Sequence, residues 1–520
     1  MKKLLYSLPL LLALSACSSE EVTAPEVNQP AGTDGYYLTL NLNVPSDLLS
    51  SRAGETLDGV ATEEAIEYLD LYLVDATSYE VLWSKTEITS LSEAAVNNTY
   101  DKSYKLELDV KGDLVNLHNL FGHNISVVAV CNLYGKYTAF NATTSKLIDG
   151  KFPNADFIGD YLNSGIEGKT MPMASDVASS AISTFSSPSS ATTPEAKKAA
   201  VSDKFTTETS GTTLKRVLNL GNITVERGVA RLDVKDAEAG TGSTKVAGED
   251  WTYKIGKSDV KIKMYSIYPF NINNTDSYII RHRAQGDANK ATAAANLFSA
   301  SATEWVVDGS WTFGTGEYTK GTTFTNPYSN AETAAGTLIS DLVKTDAGFK
   351  RTLANGYYPW WYVTENTMPS TDVMTLKNVT NDGEDLTKYA TGVCFKFQIM
   401  GTNAQGQPEA LTTSNKSSLT LPAEIYVPES GDDIYIVMSE TDKYMKVTPE
   451  NGNYMLNYYG FITHDKNSEN LEYGVVRNNA YQMSVKTIDK LPKEDGDVIY
   501  YLELTINVLK WIPNQVDFEF

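Results

Sequence analysis

Apolar and polar residues alternate one by one along many short stretches of this chain. The clearest stretch is YYLTLNLNV, in which Tyr36, Leu38, Leu40, Leu42 and Val44 take every second position. A period of two predicts a β-strand with one buried face and one exposed face. We therefore predict a half-buried strand over 36–44.

Similar runs recur along the chain and are separated by turn-rich segments. The runs predicted as strands are 68–75, 104–110, 125–131, 260–267, 394–400, 434–438, 481–488 and 501–508. Helix is predicted at 114–121 and 331–343, and the Ser-, Thr- and Ala-rich residues 174–213 are predicted to form a long, partly mobile surface excursion. Many short strands with little helix favour antiparallel β-sandwiches over a parallel sheet.

Length and charge narrow the class of protein. A chain of 520 residues with 42% hydrophobic residues is long enough for two large domains. Strand patterning resumes within ITVERGVARLDV, so we place the domain boundary near 228. The net charge of -22 argues against nucleic-acid binding, which needs a Lys- and Arg-rich surface.

The first seventeen residues, MKKLLYSLPLLLALSAC, have the pattern of a lipoprotein signal peptide. Lys2 and Lys3 precede an apolar run that is too short to span a bilayer, and the run ends in a lipobox at Cys17. We predict that Cys17 is lipidated. The next basic residue is Arg52, and the one after it is Lys85, so a trypsin-like protease has one target here. A cut between Arg52 and Ala53 would free the body of the protein from its lipid and could release the 36–44 strand.

Residues with catalytic or metal-binding chemistry do not assemble into a recognisable site. The four histidines lack ligand spacing, and Asp465, Asn467 and Glu469 imitate the start of a calcium loop that lacks its later ligands. The aromatic cluster at 357–361 is predicted as core or interface, with a sugar-stacking platform as the alternative. Cys131 and Cys394 lie in apolar runs, which favours two buried thiols and leaves a disulfide open. We predict no enzyme activity, no cofactor and no metal site, and weak calcium binding by the loop at 465–469 stays open as an alternative.

The C-terminal residues offer a second isolated strand. Pro513 interrupts the strand predicted at 501–508, and Val516, Phe518 and Phe520 then alternate with acidic residues. This tail either folds back onto its own domain or adds to the sheet of another subunit. Strand addition between copies makes a head-to-tail contact that propagates into a filament.

Several segments resemble the fimbrillin superfamily of type V pili from Bacteroidales, most closely the Mfa-type shaft subunits of the minor fimbriae. They are ITVERGVARLDV, WYVTENT (361–367), YGVVRNNAYQMSV (473–485) and INVLKW (506–511). The resemblance implies an all-β fold of two transthyretin-like antiparallel β-sandwich domains. It also implies export as a lipoprotein to the outer membrane and cell surface, and cleavage by an arginine-specific protease that removes the first strand. A neighbouring subunit's C-terminal strand would then fill the groove, in a fimbria that also has anchor and tip subunits.

The predicted organisation combines both kinds of inference. It comprises a signal peptide (1–17), a tether with a removable strand (18–52), two sandwich domains (53–228 and 229–511) and a donor-strand tail (512–520). The predicted function is a structural pilin that polymerises head-to-tail by donor-strand exchange. Two alternatives stay open: a surface glycan-binding lipoprotein that keeps its anchor, and an anchor or tip subunit of the same fimbria.

Overall fold

The computed structural model describes most of the two predicted domains. The described residues are 33–45, 65–94, 100–133, 147, 151–153, 170–175, 181–210, 213–273, 276–278, 280, 282–285, 304–308, 311–314, 317–320, 324–331, 333–343, 356–367, 389–438, 443–464, 473–492 and 502–510. They lie mostly in β-strands, with few short helices. The predicted all-β fold is confirmed. No helix within these ranges is long and apolar enough to cross a membrane.

Eleven of the described strands precede residue 228. They are β1 (Thr33–Pro45), β2 (Leu69–Asp75), β3 (Val81–Ile88), β4 (Leu91–Ala94), β5 (Tyr100–Asp109), β6 (Ile125–Cys131), β7 (Lys151–Pro153), β8 (Met173–Ser175), β9 (Ala181–Ile182), β10 (Thr206–Ser210) and β11 (Thr213–Arg227). The helices described in this half are α1 (Pro194–Ser202) and the 3-10 turns Lys111–Asp113 and Asn116–Leu120.

The strands after residue 228 are more numerous and mostly shorter. They are β12 (Ala230–Lys235), β13 (Thr252–Lys254), β14 (Lys261–Phe270), β15 (Ile272–Asn273), β16 (Asp276–Tyr278), β17 (His282–Gln285), β18 (Glu304–Val307), β19 (Trp311–Gly314), β20 (Glu317–Lys320), β21 (Phe324–Thr325), β22 (Thr337–Leu338), β23 (Tyr358–Val363), β24 (Gly392–Thr402), β25 (Pro408–Ala410), β26 (Ile425–Tyr426), β27 (Ile434–Met438), β28 (Lys443–Val447), β29 (Met455–Phe461), β30 (Asn479–Ile488) and β31 (Leu502–Lys510). The described helices are the 3-10 turn Tyr328–Asn330 and α2 (Ile339–Leu342).

Ten strands of the first half form one sheet in the order β3-β2-β6-β8-β11-β1-β5-β4, with β9 beside β6 and β10 beside β11. The long strand β11 joins the two parts of this sheet, since its first part pairs with β1 and β10 and its end pairs with β8. Both parts send side chains into one buried cluster, which we call the first core. The sheet therefore curls around its own core, as twisted strands allow.

The second half packs a four-stranded sheet, β23-β12-β30-β31, against a six-stranded sheet built on β13-β14-β24-β25. Their facing side chains form a second buried cluster, which we call the second core. Most strand pairs are antiparallel, as predicted, but β1 runs parallel to β11 and β12 runs parallel to β30. The chain passes from the first core to the second between Val229 and Ala230. The domain bounds given above stay a prediction.

Two local predictions were wrong. Most of 331–343 is not helical, and only α2 forms a helix there. Gly336 has a φ of +68°, and a Cβ at this position would lie 2.7 Å from the Ile267 carbonyl oxygen. The chain therefore turns at a position that favours glycine. The 174–213 excursion contains α1 and β10. Phe185, Val201 and Phe205 from this segment are buried in the first core, which explains why it is structured.

Candidate functional site: the slot of the first strand

The first described strand occupies a central place in its sheet. β1 pairs with β11 on one side in parallel and with β5 on the other side antiparallel. Leu38, for example, lies between Leu218 of β11 and Leu108 of β5. Both hydrogen-bonding edges of β1 are therefore used, and its removal would leave β5 and β11 with unpaired edges.

The buried face of β1 matches the sequence pattern. Tyr36, Leu38, Leu40, Leu42 and Val44 are at most 6% exposed and all belong to the first core. The predicted strand and its buried face are confirmed, whereas its removal stays a prediction. Burying an aliphatic or aromatic side chain contributes about 1.5–3 kcal/mol, so this face makes a large contribution to the core.

The other face of β1 carries polar contacts. The Asn41 side-chain amide donates to the Asn222 amide oxygen at 2.8 Å, and the Ser103 hydroxyl donates to Asn43 Oδ1 at 2.9 Å. The Lys215 ammonium lies 4.9 Å from the centre of the Tyr37 ring. Asn43 is buried although its position predicts exposure, and its hydrogen bond from Ser103 offsets the cost of burial.

Tyr36 fixes the N-terminal end of the slot. Its hydroxyl lies 2.7 Å from Ser202 Oγ, at the end of α1, and its ring meets the Phe205 ring edge-on at 5.4 Å. Arg216 donates to the same Ser202 hydroxyl at 2.6 Å and lies over the Tyr36 ring. The segment mispredicted as an excursion thus forms one end of the strand slot.

The remaining predicted site residues lie outside the described part of the chain. They are the lipidation site Cys17, the cleavage pair Arg52 and Ala53, and the donor residues Val516, Phe518 and Phe520. Their flanks are described: β1 ends at Pro45 in the sequence before Arg52, and β31 ends at Lys510 before the tail. β31 pairs with β30 over its whole length, which confirms the predicted last strand.

Solved structures similar to this chain are fimbrial and cell adhesion proteins. A candidate cell adhesion protein from Parabacteroides distasonis is 13% identical, with a TM-score of 0.40, over 92% of this chain and 98% of its own. The tip fimbrial protein Mfa3 of Porphyromonas gingivalis is 11% identical, with a TM-score of 0.31, over 91% and 100%. A fimbrilin, FimA, from the same organism is 14% identical, with a TM-score of 0.33, over 92% and 99%.

These neighbours are of the class that the sequence resemblance predicted. No protein-family model and no curated protein matches the chain. Identities of 11–14% and TM-scores of 0.31–0.40 do not carry function from these proteins to this chain, so its function rests on the strand slot itself.

The sequence segments of the fimbrillin resemblance meet where the two cores join. The backbone N–H of Asn478 donates to the Val229 carbonyl at 2.7 Å, and Asn366 and Val475 exchange two backbone hydrogen bonds of 3.0 and 2.7 Å. The segments ITVERGVARLDV, WYVTENT and YGVVRNNAYQMSV therefore form one junction. Their separation in the sequence had given no sign of this contact.

Charged side chains of these segments are fully buried at the junction. Arg477 and Glu365 form an ion pair of 2.7 Å, and Arg477 also donates to the Tyr278 carbonyl at 2.7 Å. Arg231 and Asp233 form a second pair of 2.8 Å with both side chains 0% exposed. Because a buried charge without its partner is costly, the Arg477–Glu365 pair holds its two segments together, whereas Arg231 and Asp233 lie on one strand. The signal that sequence reasoning missed is the presence of Arg and Glu within otherwise apolar strand segments.

The aromatic cluster at 357–361 is part of the protein interior. Tyr357 and Trp360 are buried, and Tyr358 and Trp361 are half-buried against the second core. The prediction that these rings are core residues is confirmed. Two of the four rings are buried and two are half-buried, which argues against a sugar-stacking platform at this place.

The two described cysteines form no disulfide and are buried in different clusters. Cys131 belongs to the first core, and Cys394 packs with Phe270 and Phe461. Burial raises the pKa of the Cys131 thiol far above its usual value. The two buried thiols are confirmed, and the disulfide left open by the sequence is wrong.

His123 forms a hydrogen bond with Asp75. Its Nδ1 lies 2.7 Å from Asp75 Oδ2. Burial acts to raise the pKa of the Asp75 carboxyl, but hydrogen bonds from the Ser78 and Thr77 backbone and from His123 outweigh it and lower the pKa to about 2. Within the described ranges, no three His, Cys, Asp or Glu side chains are grouped so that they could hold a metal ion.

Proposed function

We propose that this protein is a structural pilin, a fimbrial shaft subunit that polymerises at the cell surface by exchange of its first strand. One observation carries the proposal: β1 fills a central place in the first sheet, yet the chain between β1 and β2 contains Arg52. A cut after Arg52 separates β1 from every later strand. A strand that is paired on both edges then has no covalent link to its sheet.

Loss of β1 would make the folded subunit a receptor for another strand. The slot would present the unpaired edges of β5 and β11 and the five positions filled by the apolar side chains of β1. A groove of this kind binds an extended segment by main-chain hydrogen bonds, and its pockets set the register. A second copy of the chain supplies such a segment and leaves its own slot for the next copy.

The donor in this proposal is the tail at 512–520. β31 pairs with β30 along its whole length and is the last strand of the four-stranded sheet, and in this proposal the tail beyond it leaves its own domain. Val516, Phe518 and Phe520 have the same period as the buried face of β1. Each buried Val or Phe contributes about 1.5–3 kcal/mol, and each ladder hydrogen bond about 0.5–1.5 kcal/mol net.

Lipidation at Cys17 fits the same sequence of events. The acyl chains would hold the precursor at the outer membrane, and each buried CH₂ contributes about 0.8 kcal/mol, so release needs a covalent cut. The partners are then an arginine-specific protease, identical subunits head-to-tail, and anchor and tip subunits. An anchor subunit would keep its lipid, and a tip subunit would not need to donate a strand.

The decisive experiment substitutes Arg52 in the native host. Surface-sheared wild-type material should begin at Ala53 and form filaments, whereas Arg52→Ala should give a lipidated monomer. Arg52→Lys is the matched control, since it keeps the charge and separates an arginine-specific protease from a general one. Normal filaments from Arg52→Ala, or acylated peptides on most subunits of a filament, would refute the proposal.

The donor is tested separately. Deletion of 514–520 should leave a folded, cleaved monomer that does not elongate. Phe518→Asp should weaken assembly more than Asp517→Ala, because the two positions lie on opposite faces of the strand. A truncated protein that fails to fold would place the tail in its own domain, and one that folds and still forms filaments would place the donor elsewhere.

A further inference from the structure

A row of three tyrosines crosses the outer face of the three-stranded sheet β26-β27-β28; Tyr426 and Tyr444 are exposed, and Tyr435 between them is half-buried. Register places Tyr426 opposite Tyr435, and Val437 opposite Tyr444, on the outer face. The ring centres of Tyr426 and Tyr435 are 6.3 Å apart, and those of Tyr435 and Tyr444 are also 6.3 Å apart. We call these three residues the tyrosine row.

The inner face of the same sheet is fixed to the protein. Ile425, Ile434, Ile436 and Val447 are buried in the second core. The tyrosine row is therefore displayed on a rigid support rather than on a loop. Side chains on the outer face of such a sheet are normally polar, so an apolar outer face needs a reason.

The exposure of this face is unusual for the molecule. Tyr426 is 59% exposed, Tyr444 is 67% and Val437 is 45%. The described residues include only two other large exposed hydrophobic side chains, Tyr265 on β14 and Val343 just after α2. Clustered exposed apolar side chains mark binding sites more often than isolated ones do.

The size of the site indicates the kind of occupant. The tyrosine row, Val437 and Pro428 line a shallow, open site of about 530 Å³. A specific protein interface uses about 20–30 residues a side, far more than this surface offers. A wholly apolar small molecule would need most of its surface covered, which an open row of rings does not provide.

A pyranose sugar fits these conditions. One face of the sugar ring presents C–H groups that stack on an aromatic ring, while its hydroxyl groups remain in water. Hydroxyl partners lie beside the row: Lys446 is directly opposite Tyr435, and it pairs with Asp433 at 3.0 Å. The net charge of -22 disfavours acidic sugars.

We propose that the tyrosine row binds a neutral oligosaccharide, with successive pyranose rings stacked along Tyr426, Tyr435 and Tyr444. The site would give the protein a carbohydrate-binding activity on the outer face of its second half. It does not depend on strand exchange, because the sheet that carries it is separate from the slot of β1. A monomer should therefore bind as well as a filament.

The test uses the full chain with the Arg52→Ala substitution, which keeps it monomeric in the scheme above, and three probes: maltohexaose, cellohexaose and mannohexaose. Binding is followed by saturation-transfer NMR and calorimetry. We expect at least one probe to bind, and Tyr444→Ala to weaken that binding at least tenfold with an unchanged Tm. Tyr444→Phe should retain most of the affinity because it keeps the ring.

Tyr265→Ala is the matched control, since Tyr265 is a lone exposed tyrosine on β14, and it should leave binding unchanged. A proline-rich decapeptide tests the other extended ligand that aromatic rows accept. Binding of the peptide alone would overturn the carbohydrate assignment. Failure of all three sugars to bind, or full sugar binding by a Tyr426→Ala/Tyr444→Ala variant, would overturn it as well.

Discussion

Strand exchange makes a side chain of β1 essential in the precursor and irrelevant in the filament. Leu40 lies in the middle of β1, is 1% exposed and faces the first core. Replacing a buried leucine by alanine costs about 2–5 kcal/mol, because contacts are lost and a cavity remains. We expect Leu40→Ala to lower the free energy of unfolding of the uncleaved protein by about 3 kcal/mol. For a domain of this size that corresponds to a fall in Tm of roughly 6–12 °C.

The matched control is Leu106→Ala. Leu106 lies directly opposite Leu40 on β5 and is fully buried, but β5 stays in the subunit after cleavage. Guanidinium and thermal unfolding of the Arg52→Ala precursor should show that both substitutions destabilise it. In assembled filaments only Leu106→Ala should lower stability. An equal loss from Leu40→Ala in filaments would mean that β1 is retained, and it would refute the exchange.

Further predictions concern the ion pairs and the thiols. The pKa of Asp75 is lowered from 3.8 to about 2 in the folded protein. The ionised carboxylate therefore stabilises the folded state fully above pH 3.8, and this contribution is lost as the pH falls through about 2. Asp75→Asn should therefore lower the free energy of unfolding by about 1 kcal/mol at neutral pH, measured by urea titration. Below pH 2 the carboxyl of the wild type is protonated and the difference should vanish, so an equal loss there would contradict the prediction. Glu365→Ala should lower the free energy of unfolding by about 3–5 kcal/mol, because it leaves Arg477 buried without its partner. The double variant Glu365→Ala/Arg477→Met should lose less than the sum of the two single losses, and strict additivity in a double-mutant cycle would argue against a coupled pair. Cys131 and Cys394 should react with a thiol reagent only after unfolding, and rapid labelling of the native protein would show that they are accessible.

Local chemistry accounts for the elements that the sequence predicted well. β27 begins and ends at the residues expected from its alternation, and β1 buries the expected face. The start of α1 also had a local signal: Thr193 caps the helix through a bond from the Ala196 N–H, and Pro194 takes the first position. The Ser- and Thr-rich composition around it favoured a mobile segment and hid that signal. At 331–343 the apolar spacing favoured helix, but the close approach of Gly336 to the Ile267 carbonyl stops it.

The sequence by itself determined which face of a strand such as β1 is apolar and buried, because apolar side chains favour burial over contact with water. It did not show that polar side chains such as Asn43 and Arg477 are buried as well. It did not determine which strands become neighbours. Leu38 meets Leu108 and Leu218, which are far away along the chain, and only this pairing makes β1 a central strand whose loss leaves a slot.

The tyrosine row shows the same division. Tyr426, Tyr435 and Tyr444 recur every nine residues, a spacing that predicts no common face. The register of two hairpins puts their rings side by side. Tertiary structure decides such contacts because hydrogen-bond register and core packing are set jointly by distant segments, whereas the alternation within one segment reports only its own two faces.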